Sequence, residues 1–245
     1  MSPTPPSPAP ATVVLVHGSW HGPWAWDKVV PLLEAEGIPV LAPCLPSMGA
    51  TRAERGDLHD DAAAVQAAIA EAGGPVVLVG HSYGGAVITE AAAGNARVQR
   101  LVYLCALVPE EEESVFDTLA LVDELLVGPG SGLKIDDDDF SHRPEPGREV
   151  AILYHDCDPA DAAAAIARLL PQNTVAGTQE LRGIAWRDTP STYVVCSDDR
   201  TISPALQRLL ARRLGADTVE WPTSHSPMLS QPGLVAGFLA GLARA

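Results

Sequence analysis

Gly80-His-Ser82-Tyr-Gly84 sets a serine between two glycines, directly after the apolar run Val76–Val79 and at the head of a helical stretch. A serine hydroxyl is a poor nucleophile until a base removes its proton, so its chemistry here would be nucleophilic attack assisted by a histidine on the same edge of the fold. The Gly-x-Ser-x-Gly spacing answers a steric need. A strand that turns sharply into a helix leaves no room for side chains two residues before and two after the serine. Ser82 is therefore the candidate nucleophile.

Seven histidines compete for the role of base. His225, in Thr223-Ser-His-Ser-Pro227, follows the last expected strand, Thr218–Trp221, and precedes the C-terminal helix, so it would emerge where the strands end. His81 is the variable position of the serine motif, His17 and His21 belong to the loop after the first strand, and His59, His142 and His155 fall in helical or inserted segments. Packing or surface roles are expected for these six. The acid should leave a strand between the serine and the histidine in chain order. Cys196-Ser-Asp198-Asp199-Arg200 does so, and adjacent aspartates point in different directions, so one of the two orients the imidazole and the other serves a turn.

The oxyanion formed by attack on a carbonyl needs preorganised donors. One is the Tyr83 backbone N–H. The other should come from the loop His17-Gly-Ser19-Trp-His-Gly22, where Gly18 lets the chain bend and the Ser19 N–H can face the nucleophile. Trp20, Trp24 and Trp26 read as packing residues. His155-Asp-Cys157 crowds three possible ligands together, but the spacing matches no closed zinc pattern, and neither metal nor cofactor is expected.

These groups need a scaffold. Val13–Val16, Val76–Val79, Leu101–Cys105 and Tyr193–Cys196 are short apolar runs rich in β-branched residues, the pattern of strands covered on both faces. Helices are expected over Trp24–Glu36, Asp60–Ala72, Tyr83–Ala93 and Ser203–Leu214, each followed by a glycine able to close it. Strands alternating with helices imply a mostly parallel central sheet with helices on both faces. The alternation lapses over residues 109–186, read as an inserted cap. The core is then 12–108 plus 187–245, after a disordered Pro-rich tail at 1–11.

The formal charge is −15, which disfavours nucleic acid as a partner. Sixteen carboxylates between Glu110 and Asp161 stand against Lys134, Arg143 and Arg148, so that segment alone carries −13. Four cysteines are too few for a disulfide framework, which points to a reducing, cytoplasmic setting. No window is apolar enough to span a membrane, and neither a basic n-region nor an apolar signal core opens the chain. The excess of Arg over Lys and the alanine richness suggest a GC-rich bacterial genome.

His17-Gly-Ser-Trp-His-Gly-Pro-Trp-Ala-Trp26, Gly80-His-Ser-Tyr-Gly-Gly85, Cys196-Ser-Asp-Asp-Arg-Thr-Ile202 and His225-Ser-Pro-Met-Leu229 together resemble the α/β-hydrolase superfamily. Within it they resemble the branch of plant methylesterases, hydroxynitrile lyases and related bacterial esterases. The resemblance runs from Thr12 to the end of the chain. It implies the α/β-hydrolase fold, Ser82 as nucleophile, His225 as base and Asp199 rather than Asp198 as acid. It further implies oxyanion donors at Ser19 and Tyr83, a lid over the site, and a small neutral ester cleaved through an acyl-enzyme. The lyases of that branch carry lysine after the catalytic histidine and threonine after the first-loop histidine; Ser226 and Gly18 stand there instead. Trp20 stands where the plant members usually carry cysteine. The esterase reading gains from these differences over a C–C lyase, and a small-molecule receptor on the same fold is the remaining alternative.

Overall fold

The computed structural model describes residues 9–122, 126–129 and 132–245. Residues 1–8 of the Pro-rich tail, and Asp123 and Glu124 of the acidic segment, lie outside the described residues. Ala11 of the tail is buried, and its N–H bonds Ala243 O at 2.8 Å.

The chain runs β1 (Thr12–Val16), α1 (Val30–Ala35), β2 (Val40–Leu41), α2 (Leu58–Ala72), β3 (Val76–His81), α3 (Gly84–Ala91), β4 (Val98–Leu104) and α4 (Val115–Leu119). It continues with β5 (Gly128–Pro129), β6 (Gly132–Asp136), β7 (Ser141–Pro144), α5 (Glu149–Leu153), α6 (Pro159–Ile166), β8 (Gln172–Asn173) and α7 (Val175–Thr178). It closes with β9 (Ser191–Cys196), α8 (Pro204–Leu214), β10 (Asp217–Trp221), α9 (Pro227–Ser230) and α10 (Pro232–Ala243). Six strands pair in parallel in the order β10-β9-β4-β3-β1-β2.

Every residue of β1 and β3 is buried, as both-face coverage requires. Successive side chains alternate between two cores. Val14, Val16, Val76 and Leu78 face α2, α3 and α8 through Val65, Val87 and Leu210. Val13, Leu15, Val77 and Val79 face α1 and α10 through Leu33, Val235 and Leu239. Two expectations need adjustment. The stretch Trp24–Glu36 is divided into a 3-10 turn at Pro23–Trp26 and the short α1, with Pro31 near its start. The edge strand β2 is two residues long and lies between prolines 39 and 43, which cannot donate to a ladder and so hide it from a pattern search. Helix ends follow the chemistry of their sequence: Ser203 Oγ accepts from Leu206 N, and Gly73 and Gly215 take left-handed conformations.

Between β4 and β9 the chain builds a second sheet, β5-β6-β7-β8, and a separate apolar cluster that includes Trp20, Ile152, Leu153 and Tyr154. Its β8 end is stitched to core loops: Leu170 N donates to Trp20 O, Gly49 N to Pro171 O, and Asn173 N to Ser47 O, all within 3.1 Å. The acidic residues contribute as well. The Arg55 guanidinium, 1% exposed, donates to Asp139 at 2.7 Å, Arg213 binds Glu113 at 2.6 Å, Arg187 binds Glu110 and Glu111, and Lys28 pairs with Asp161.

The tightest backbone approaches surround the β3–α3 turn. A Cβ on Gly85 would lie 2.3 Å from Leu107 O, whereas one on Gly237, exposed in α10, would meet nothing within 4 Å. Gly85→Ala should therefore lower stability by at least about 2 kcal/mol, and Gly237→Ala should raise it by roughly 0.5–1 kcal/mol through helix propensity. Urea midpoints of the two variants check this; equal shifts would contradict the packing described.

Candidate active site

Ser82 sits at the turn from β3 into α3 with φ +55, a left-handed conformation that a side-chain-bearing residue adopts only where surroundings force it. The glycines explain the force. A Cβ on Gly80 would lie 2.5 Å from Gly84 O, and one on Gly84 2.7 Å from His17 O, so the elbow is pressed both on itself and on the end of β1. A Cβ on Gly18 would come within 2.8 Å of Ser82 Cβ, so the first loop crosses the serine at backbone contact. This position, where the lyases carry threonine, has no room for a side chain on the present backbone.

The Ser19 and Tyr83 residues line the same cavity as Ser82, and their backbone N–H groups donate to no other group among the described residues. The first loop is held from outside. His17 Nε2 accepts from Leu45 N at 3.2 Å, which leaves its Nδ1–H to donate to Gly18 O at 3.0 Å. His21 Nδ1–H donates to Ser19 O at 2.7 Å, while its Nε2 accepts from Tyr154 OH at 2.7 Å. Burial pushes these imidazoles down to about 4 and about 3, so both act as neutral struts.

His225 and Asp199 meet, and Asp198 does not take part. His225 Nδ1 donates to Asp199 Oδ2 at 2.7 Å with both side chains buried. The other donors to this carboxylate are Gln207 Nε2 on Oδ2 at 2.8 Å, and the Thr201 and Ile202 N–H groups on Oδ1 at 2.7 and 3.1 Å. Four donors satisfy a buried anion that would otherwise be costly. Asp198 is exposed, and its N–H donates to Thr223 O, which makes it the turn residue. The His225 backbone is gripped from the elbow: His81 Nε2–H donates to His225 O at 2.8 Å, and the rings lie 4.7 Å apart. His81, Cys105 and His225 each offer a ligand atom within 4.8 Å of the others. His225 Nδ1 and His81 Nε2 are taken up by the hydrogen bonds just given, His81 Nδ1 is buried without a partner, and burial holds the Cys105 thiol well above its usual range, so the cluster offers a protonated thiol and not a thiolate.

Four positioning residues carry no signal in a linear reading. Gln207 on α8 braces Asp199. Asp156, from the His155-Asp-Cys157 turn, accepts from Ser224 N at 2.8 Å and so anchors the loop bearing His225. Burial pushes the Asp156 carboxyl up, and hydrogen bonds from Ser224 and Ser230 together with nearby His155 more than offset it, leaving it below the usual range. Asp61 on α2 accepts from Tyr83 OH and Ser47 N, both at 2.7 Å, which fixes the residue after Ser82. His142 departs from the expected packing or surface role: it lines the cavity, and its Nδ1 accepts from Trp20 Nε1 at 3.1 Å. Trp20 lines the cavity too, whereas Trp26 is fully buried in the core.

The cavity is walled by apolar side chains including Leu107, Val115, Phe116, Leu119 and Ile202. Among the described residues its walls hold no Asp, Glu, Lys or Arg.

Residues 13–238 match the family described as "Alpha/beta hydrolase family". The chain is 31% identical to an alpha/beta hydrolase of Aspergillus novofumigatus over 94% of its own length and 96% of that protein's. It is 31% identical to a pyrethroid hydrolase of Sphingobium wenxiniae, covering 95% of this chain and 88% of that one. A crystal structure of a pyrethroid hydrolase from Sphingobium faniae superposes with a TM-score of 0.80 at 26% identity, over 96% of this chain and 98% of the other. Plant methylesterases are also related, among them a methyl jasmonate esterase of Vitis vinifera at 26% identity over 89% of this chain and 91% of its own.

Burial raises the Asp61 carboxyl from its usual range to about 7, against the pull of its hydrogen bonds from Ser47 and Tyr83. A pKa higher in the folded than in the unfolded chain means that folding takes up a proton between about 4 and 7, so stability is greatest below that window and is lost as pH rises through it. The stability difference between wild type and Asp61→Asn should accordingly shift against wild type by roughly 1.4 kcal/mol per pH unit across the window and level off above it. Urea unfolding at a series of pH values reads this; a flat difference would show that Asp61 does not titrate there.

Proposed function

The chain belongs to the alpha/beta hydrolase family and is a serine ester hydrolase, and from that premise we propose that Ser82, His225 and Asp199 are its catalytic triad and that small neutral esters are its substrates. The observation that carries the assignment is the 2.7 Å hydrogen bond from His225 Nδ1 to a buried, fully bonded carboxylate, on a loop held to the elbow by His81.

With Nδ1 donating to Asp199, the Nε2 of neutral His225 is the basic atom. It takes the Ser82 Oγ proton as Oγ attacks the ester carbonyl, and the Ser19 and Tyr83 N–H groups bind the oxyanion. His225 then returns the proton to the leaving alcohol, and water repeats the sequence on the acyl-enzyme. Asp199 stabilises the transient imidazolium.

Residues 109–186 act as the cap in this reading. Supporting it, the cavity walls at Val115, Phe116, Leu119, Val127, Leu133 and His142 come from that segment, while Ser82, Ser19 and Tyr83 come from the core. The uncharged walls favour neutral substrates, because a carboxylate would enter without a counter-charge. Cyanohydrin cleavage lacks the ammonium it would need: Ser226 is buried at the lyases' lysine position. No helix among the described residues is long and apolar enough to cross a membrane. The unpaired state of Cys44, Cys105, Cys157 and Cys196 supports a cytoplasmic setting, and small esters, with neither nucleic acid nor membrane, are the partners proposed.

Kinetics on p-nitrophenyl acetate test the triad. Ser82→Ala should retain less than about a hundredth of wild-type turnover. Asp199→Asn should lose on the order of 10³-fold or more in kcat, and Asp198→Asn should stay within about threefold. Equal losses in the two aspartate variants, or the reverse ranking, would overturn the assignment of the acid.

A further inference from the structure

The cavity's polar groups are largely spoken for. Tyr83 OH donates to Asp61, Thr201 Oγ1 donates to Ile152 O at 2.7 Å, and the proposed reaction uses Ser82 and the two backbone donors. Besides the Ser19 hydroxyl, two side chains in the cavity wall remain, and they are cross-strand partners. His142 on β7 pairs in register with Gln172 on β8, which brings their Cα atoms together on adjacent antiparallel strands.

The hydrogen-bonding sense of each follows from its neighbours. An indole N–H can only donate, so the Trp20 bond makes His142 Nδ1 an acceptor and leaves the ring proton on Nε2. His142 Nε2–H has no partner among the described residues. Burial pushes this imidazole down to about 4, so it stays a neutral donor across the ordinary working range. Gln172 Nε2 donates to Ser47 Oγ at 3.2 Å, and its Oε1 is buried without a hydrogen-bond partner. The residue is 1% exposed, and the stitches from Gly49 N to Pro171 O and from Asn173 N to Ser47 O fix its backbone on both sides. A buried acceptor left open beside an open donor, on a rigid strand pair facing the nucleophile's cavity, is an arrangement that a ligand completes.

We infer that His142 and Gln172 form a recognition pair for a hydroxyl on the acyl part of the substrate, so that hydroxy esters are preferred over their unsubstituted counterparts. A hydroxyl is the smallest neutral group that fills both roles with one atom: its oxygen accepts from His142 Nε2–H and its proton goes to Gln172 Oε1. A methoxy group meets only the first. The inference rests on the esterase reading, since it assigns the acyl group to the cavity beside Ser82.

The test compares kcat/KM, by methanol release, for methyl phenylpropanoates bearing a ring hydroxyl at the ortho, meta or para position with the unsubstituted and methoxy parents. At least one hydroxy isomer should exceed both of its parents by about tenfold or more, because a site built to bond a hydroxyl discriminates against analogues lacking it. In Gln172→Leu and His142→Phe that excess should fall below about threefold. The ratio is taken within each enzyme, so a general loss of activity cancels, and the wild-type comparison needs no variant. Hydroxy and unsubstituted esters cleaved equally well by an enzyme that turns over p-nitrophenyl acetate would overturn the inference and leave the esterase reading standing. A methoxy ester as good as its hydroxy partner, or an excess that survives in both variants, would overturn the paired role. Turnover of p-nitrophenyl acetate with none of these esters cleaved would overturn the inference alone, whereas failure on p-nitrophenyl acetate as well would sink the esterase reading and the inference with it.

Discussion

The site depends on a constraint at the β3–α3 turn: the backbone approaches itself and its neighbours so closely that only glycine fits at Gly80, Gly84 and Gly85. That compression holds Ser82 at positive φ, seats α3 against the ends of β1 and β4, and presents the Tyr83 N–H at the head of the helix. The opposing surface is also backbone, since Gly18 lies against Ser82 Cβ. Side chains at these positions would push the first loop away from Ser82. Stability and chemistry are therefore coupled through the same contacts, and the strain at Ser82 is offset by the parallel sheet that flanks it.

Around this turn the protein places imidazoles that carry no charge. His17, His21, His81 and His142 are buried, and burial lowers the pKa of each. Their work is geometric: His17 and His21 hold the first loop by its carbonyls, and His81 holds the His225 carbonyl. Keeping them neutral avoids cations beside His225 that would oppose the imidazolium formed in the proposed reaction. Asp199 stands in contrast, a carboxylate with four donors placed to favour that imidazolium.

The elements with local signatures were legible in the sequence. Continuous β-branched runs mark β1, β3, β4 and β9, and glycines that close helices mark the ends of α2 and α8. The serine motif and the position of His225 follow from the same punctuation. Asp198 and Asp199 are indistinguishable by type and spacing; only the resemblance favoured Asp199, and the physical reason lies in α8, where Gln207 reaches back to the second aspartate and not the first. Asp61, Asp156 and His142 escaped notice because their partners are distant in sequence. Asp156 bonds a loop 68 residues away, and His142 meets Trp20 across 122 residues. Their segments carry no periodicity that would tell a surface carboxylate from a brace, or a packing histidine from a cavity wall. The acidic segment likewise reads as a solvated face by composition, yet several of its carboxylates latch it to Arg55, Arg187 and Arg213.

The central claim is that this compressed turn, with His225 held beside it, makes one serine uniquely nucleophilic. Reaction with a fluorophosphonate followed by peptide mass mapping tests it most directly, because the probe records the activated hydroxyl itself and not a downstream product. The account predicts a single stoichiometric adduct on Ser82 that blocks ester turnover in proportion to labelling. An adduct on another residue, or full labelling of Ser82 with turnover intact, would contradict it.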